Sequence, residues 1–256
     1  MLMTIDVGNT NISLGLMQGN EVIGSFRLTT KTPRTSDEFG LCIKELLDMT
    51  KLQDDDIEAV IISSVVPKIM YSLTSAIVKF LHKDPIIVGP GIKTGISIRT
   101  DNPREVGADR IVDISMAYHT YHKSCIIVDF GTATTFDYIS GEGVFKYTVI
   151  APGLGIVANA LTSQTAKLPE IEIQKPESIL NGNTITGMQA GVIYGYIGSV
   201  EYIIKQMKKE LKLKDCLVIA TGGLGKVIAK ETKEIDLFDP DVAYKGMRIL
   251  YDLNKK

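Results

Sequence analysis

The same pattern occurs twice in this chain. Residues 2–16 read LMTIDVGNTNISLGL and residues 125–139 read CIIVDFGTATTFDYI. Each is an apolar run that reaches Asp-x-Gly-(Asn or Thr) and continues into a second strand-like run. A third strand candidate follows each, at 21–28 and 144–150. Apolar runs joined by a glycine-containing turn predict a strand, a tight turn and an antiparallel return. After each meander, helix and strand alternate. Helices are expected at 35–49, 67–82 and 103–122, then at 154–166, 184–211, 225–230 and 241–253. Strands are expected between them at 59–65, 86–88, 95–99 and 217–221. A meander followed by alternation argues for an α/β fold with mixed sheets, duplicated near residue 118. The expected domains are therefore 1–117 and 118–256. No low-complexity linker separates them, so the halves are expected to pack closely around a cleft.

The bulk properties exclude several classes. With 256 residues the chain can bury a sizeable core without a disulfide or metal staple. A net charge of -2 gives no basic excess for nucleic acid and no polybasic stretch for a membrane surface. The N-terminus MLMTIDVGNT has no basic region or cleavage site and is not read as a signal peptide. Cys42, Cys125 and Cys216 lie among apolar neighbours without metal-type spacing, which fits reduced core residues of a cytoplasmic protein. Gly187, Gly191 and Gly195 recur every four residues on one helix face. Each costs helix propensity, roughly 1 kcal/mol against alanine. Close packing within the chain and a homodimer interface are both open explanations.

The repeated turn is where chemistry is expected. In Asp6-Val7-Gly8-Asn9-Thr10-Asn11 and Asp129-Phe130-Gly131-Thr132-Ala133-Thr134 a strand delivers a carboxylate to a glycine turn. Free N–H groups and small polar side chains there can hold phosphate oxygens, while the aspartate holds a neutralising cation. A single Asp-Gly turn is common in hairpins, but two at matching places can face one phosphate chain. Gly225-Lys226 does not complete a Walker A loop, since position 220 is alanine and position 227 is valine. Gly153-Leu154-Gly155-Ile156-Val157-Ala158 fits the dinucleotide fingerprint, with Glu172 as the candidate ribose-binding acid, and keeps a nicotinamide-dependent alternative open. In Gly107-Ala108-Asp109-Arg110, Asp109 could take a hydroxyl proton and Arg110 could hold an anionic acceptor. The same two residues could equally form a surface pair. His119 and His122 lie three apart but lack an evident third metal ligand.

These segments resemble the type III pantothenate kinases, of the superfamily that includes acetate kinase, sugar kinases, heat-shock chaperones and actin. The resemblance runs nearly end to end. It includes DVGNTNISLG at 6–15, SSVVP at 63–67, DNPREVGADRI at 101–111, VDFGTATTFD at 128–137, NTITGMQAGVIYGYIGSVE at 183–201 and ATGGL at 220–224. It implies duplicated actin-like, ribonuclease H-like domains, each with a mixed five-stranded sheet. It also implies transfer of the ATP γ-phosphate to the primary hydroxyl of pantothenate, the first step of coenzyme A synthesis. By that resemblance Asp6, Val7, Gly8, Asn9, Thr10, Asn11, Ile12, Ser13 and Thr132 contact ATP. Gly107, Ala108, Asp109, Arg110, Thr100 and Thr184 contact pantothenate, and Asp109 is the proton acceptor. Asp129 holds a monovalent cation, K+ or NH4+. Asp6 holds Mg2+ through water, and the enzyme is a cytoplasmic homodimer. Two positions depart from the family pattern: Thr100 replaces a usual tyrosine, and Tyr147-Thr148 replace a usual Gly-Gly. A diverged relative acting on another small hydroxyl compound, or a non-catalytic ATP-binding regulator, are the alternative readings.

Overall fold

A computed structural model describes residues 1–255. They fall into two compact units, Met1–Thr120 together with the segment from Asp241 on, and Tyr121–Pro240.

The first unit opens with the expected meander: β1 (Leu2–Val7), β2 (Asn11–Gln18) and β3 (Glu21–Thr29). Next come α1 (Ser36–Met49), β4 (Ala59–Ser64), α2 (Pro67–Leu81), β5 (Ile86–Ile87), β6 (Ser97–Ile98) and α3 (Ala108–Tyr121). Its sheet has the order β3-β2-β1-β4-β5, with β1 antiparallel to β2 and parallel to β4. Apolar alternation decides the two faces of β1. Met3, Ile5 and Val7 enter a core with Phe39, Ile43 and Leu47 of α1 and Leu73, Ala76 and Ile77 of α2. Leu2 turns to the opposite face, against Val112 and helix-borne Tyr244, Met247 and Leu250. Thr35 caps α1 through a capping box with Glu38, and Pro67 occupies the first turn of α2.

The second unit repeats this plan with β7 (Cys125–Phe130), β8 (Ala133–Ile139) and β9 (Val144–Pro152). It continues through α4 (Leu154–Ser163), α5 (Thr184–Glu210), β10 (Leu217–Thr221), α6 (Gly225–Ala229) and β11 (Leu237–Phe238). Its five strands run β11-β10-β7-β8-β9, the order of the first sheet read from the other end. The registers also correspond. Asp6 pairs with Ser13 and Ser63, and Asp129 pairs with Thr135 and Thr221.

The structure corrects the expected boundaries in two places. The last helix, α7 (Val242–Asn254), belongs to the first unit and not to a unit spanning 118–256. Its buried Tyr244, Met247 and Leu250 cover the face of β1 and β2 that would otherwise leave Leu2 and Met17 in water. The predicted helix at 103–122 is two pieces: a 3-10 turn at Pro103–Glu105 and then α3 from Ala108. Val106 between them is extended. Asp109 therefore stands in the first turn of α3, where N–H groups lack partners within the helix.

Candidate active site

The carboxylate of the first repeat sits at the end of β1, on the β1–β4 rung shared with Ser63. Burial raises the pKa of Asp6 from 3.8 to about 7, helped by the negative charge of Asp109 and opposed by the neighbouring Ser63 hydroxyl. That hydroxyl is itself buried and completes no hydrogen bond of ordinary geometry. The turn after Asp6 is closed by the Gly8 N–H donating to the Asn11 carbonyl at 3.0 Å. It is tied to the end of β3 by the Thr30 hydroxyl, which donates to the Gly8 carbonyl at 2.7 Å. Asn9, Thr10 and Asn11 are left exposed on a braced loop.

Asp109 reaches the same region from α3. Its Oδ1 accepts the Arg110 N–H at 2.8 Å and folds back over Gly107. A Cβ at position 107 would lie 2.4 Å from that oxygen, so glycine here is a requirement of the carboxylate's position. Asp6, Asp109 and the adjacent Arg110 thus come together within one unit. Thr100, also in the first unit, has a buried hydroxyl with no hydrogen-bond partner.

In the second unit, Asp129 and Thr132 flank the matching turn. Gly222, at φ +93°, presses on it: a Cβ there would meet the Phe130 carbonyl oxygen at 2.6 Å and Asp129 Oδ1 at 2.7 Å. Gly153 presses from another side, since its Cβ would meet the Thr132 carbonyl oxygen at 2.2 Å. The turn is further held by Tyr196 of α5, whose hydroxyl donates to the Pro152 carbonyl at 3.1 Å and accepts from Thr134. Thr184, next to the Asn183 cap at the start of α5, stands about three helical turns before Tyr196 and so apart from this turn.

Two open readings are resolved by this geometry. The run beginning at Gly153 follows β9, which is antiparallel to β8, and Glu172 lies outside any strand. A dinucleotide fingerprint needs a parallel βαβ unit, so the nicotinamide reading falls. The glycine of that run serves close packing against the Thr132 turn. The stripe of Gly187, Gly191 and Gly195 is open: a Cβ added at any of the three would meet no atom within 4 Å. Close packing within the chain is therefore not its explanation. Gly191 and Gly195 instead border a cavity of about 270 Å³, together with Phe136, Pro152, Val157 and Tyr196.

Residues 2–206 match the family described as type III pantothenate kinase. The chain belongs to the type III pantothenate kinase family. A type III pantothenate kinase from Agathobacter rectalis is 50% identical over 98% of this chain and 96% of its own length. Another, from Bifidobacterium longum, is 49% identical over the full length of both. Among solved structures, a candidate 2-dehydro-3-deoxygalactonokinase from Sinorhizobium meliloti aligns with a TM-score of 0.64 at 10% identity, over 100% of this chain and 98% of its own. That likeness shows the fold alone, and it agrees with the duplicated actin-like plan. Membership of the family makes the chain an ATP-dependent pantothenate kinase.

Sequence reasoning overlooked Ser63 and the packing demand on Gly222. Ser63 acts through pairing register and Gly222 through close packing on the Asp129 turn, neither of which a single sequence displays. The equivalence of Ser63 and Thr221, each at the C-terminal part of a strand paired in parallel with a repeat's first strand, was the available signal.

Proposed function

We infer that the protein transfers the γ-phosphoryl group of ATP to the primary hydroxyl of pantothenate, giving 4'-phosphopantothenate and ADP. The observation that carries the mechanism is the meeting of Asp6 and Asp109, a buried carboxylate beside a helix-borne one. Asp109 takes the hydroxyl proton. The freed oxygen attacks the γ-phosphorus while the bond to the β–γ bridging oxygen breaks, and ADP leaves with that electron pair. Arg110 holds the acceptor's carboxylate, and Thr100 holds a polar group of it. Within the first unit, the segment from Asp6 to Ser13 holds the phosphate chain.

The charge pattern fits a cation at Asp6, because two facing carboxylates gain when positive charge separates them. Among the described residues no three His, Cys, Asp or Glu side chains form a metal cage. Mg2+ suits such a site, since it takes most of its ligands from water and phosphate. Bound there, it would neutralise charge on the transferring group. Asp129, enclosed by Gly222, would hold a monovalent cation, K+ or NH4+. Activity unchanged when a bulky organic cation replaces K+ would count against that role.

The open glycine face of α5 supports a homodimer, with a second copy approaching at Gly191 and Gly195. A monomer in sedimentation at assay concentration would rule this out. The free cysteines fit the reducing cytoplasm.

A second reading, a relative acting on another hydroxyl compound, draws on Thr100 and Tyr147-Thr148. The test is ATP consumption with pantothenate and with related hydroxy acids, followed by mass spectrometry of the product. Pantothenate-dependent ADP formation with a phosphopantothenate mass is expected. Turnover with another acceptor alone would overturn the substrate assignment, and tight ATP binding without any product would favour a regulator.

A further inference from the structure

The rung that carries Asp6 extends across the sheet. Asp6 pairs with Ser13 on β2, and Ser13 pairs with Arg27 on β3. On its other side Asp6 pairs with Ser63 on β4. Directly paired residues of neighbouring strands share a face and stand about 5 Å apart. Arg27, Ser13, Asp6 and Ser63 therefore form one polar line on the face that α7 covers.

One rung behind, Thr4 pairs with Gly15, and the ring of Tyr244 lies on both. A Cβ at Gly15 would meet ring carbon Cδ1 of Tyr244 at 2.6 Å, so glycine is what admits the ring. The buried Tyr244 hydroxyl faces the Asp6 rung. Burial raises its pKa, the charge of Arg27 and the Ser13 hydroxyl lower it, and Asp6 and Asp241 raise it. All these groups belong to the first unit.

Arg27 is exposed and has no hydrogen bond or ion pair among the described residues. Two other arginines are anchored: Arg34 donates to the Thr29 carbonyl, and Arg248 pairs with Asp252. An exposed arginine usually gains little from its surroundings. This one differs in standing on the same rung as Ser13, inside the segment assigned to the phosphates. The rung offers acid and hydroxyl groups but no other positive charge. A polyphosphate lying over it needs a cation at its open end, and a guanidinium can meet two phosphate oxygens at once.

We propose that Arg27 is a phosphate-binding residue of the ATP site, holding the terminal phosphate above the Asp6–Ser13 rung, and that Tyr244 is a positioning residue that sets Arg27 in place. This rests on the reading of the protein as an ATP-dependent kinase. It explains why β3 carries an unpaired arginine at this register and why β2 carries a glycine under a tyrosine ring.

The test uses the full chain with Mg2+-ATP and pantothenate, comparing wild type with R27Q, R27K, Y244F and R27Q/Y244F. Arg27 is exposed and Y244F keeps the ring, so all four are expected to melt close to wild type. R27Q should weaken ATP binding and raise its KM by about 10- to 100-fold, as expected for a lost charge-assisted contact. Its KM for pantothenate and its affinity for ADP should stay within about threefold, and R27K should recover part of the loss. Y244F should raise the KM for ATP several-fold in the wild-type background and have no further effect in R27Q. Wild-type ATP kinetics in R27Q would overturn the role of Arg27, and equal losses for ATP and ADP would overturn its assignment to the terminal phosphate. Additive effects in the double variant would overturn the positioning role of Tyr244. Absence of ATP turnover in wild type itself would sink the kinase reading instead, so the two failures are distinguishable.

Discussion

Replacing Asp6 by asparagine should make the resting protein more stable and the enzyme inactive. The carboxyl is pushed from 3.8 to about 7 by burial and by Asp109. In the unfolded chain it ionises near its ordinary value. Between these two values the folded state holds a proton that the unfolded state has lost. Stability therefore falls as pH rises through that window, and the full penalty is present above about pH 7. At roughly 1.4 kcal/mol per pH unit over about three units, the ceiling at pH 8 is about 4 kcal/mol. Relaxation around the buried group reduces it, and about 2 kcal/mol is the expected gain for Asp6→Asn. For a chain of this size that is about 4–8 °C in melting temperature. At pH 5 the gain should be smaller than at pH 8, because the folded carboxyl is already largely protonated there. The assay is thermal unfolding at pH 5 and pH 8, with and without Mg2+-ATP. Mg2+-ATP should raise the melting temperature of wild type far more than that of the variant. A variant that is equally or less stable than wild type at pH 8, with native circular dichroism, would refute a strained carboxylate at this position.

Asp109→Asn should keep ATP binding and lose about 10²–10⁴-fold in turnover, read by steady-state kinetics alongside nucleotide titration. Gly153→Ala places a methyl 2.2 Å from the Thr132 carbonyl oxygen, so it should cost about 1–3 kcal/mol in denaturant unfolding and raise the KM for ATP. Thr100→Val removes a buried hydroxyl that has no partner, so the free protein should be as stable or slightly more so. Its KM for pantothenate should nevertheless rise about tenfold, and an unchanged value would exclude Thr100 from the acceptor site.

The repeated strand–Asp–Gly–turn pattern was enough to determine the duplication, the two meanders and the two carboxylates at the strand ends. These follow from local rules: alternating burial along a strand and glycine at a tight turn. The Gly107–Arg110 segment was visible too, because Asp109 and Arg110 are neighbours in sequence. What the sequence could not determine was anything set by pairing register or by a returning helix. The rise in the Asp6 pKa comes first from burial by the folded chain and then from the charge of Asp109, brought across from another element. The need for glycine at 107, 153 and 222 comes from atoms that only the folded chain places against them. α7 joins the first unit because the apolar face of β1 and β2 needs covering, a demand that the sequence of α7 alone does not state. Tertiary structure decided these features because burial and electrostatics depend on distance in space, while a sequence records only order along the chain.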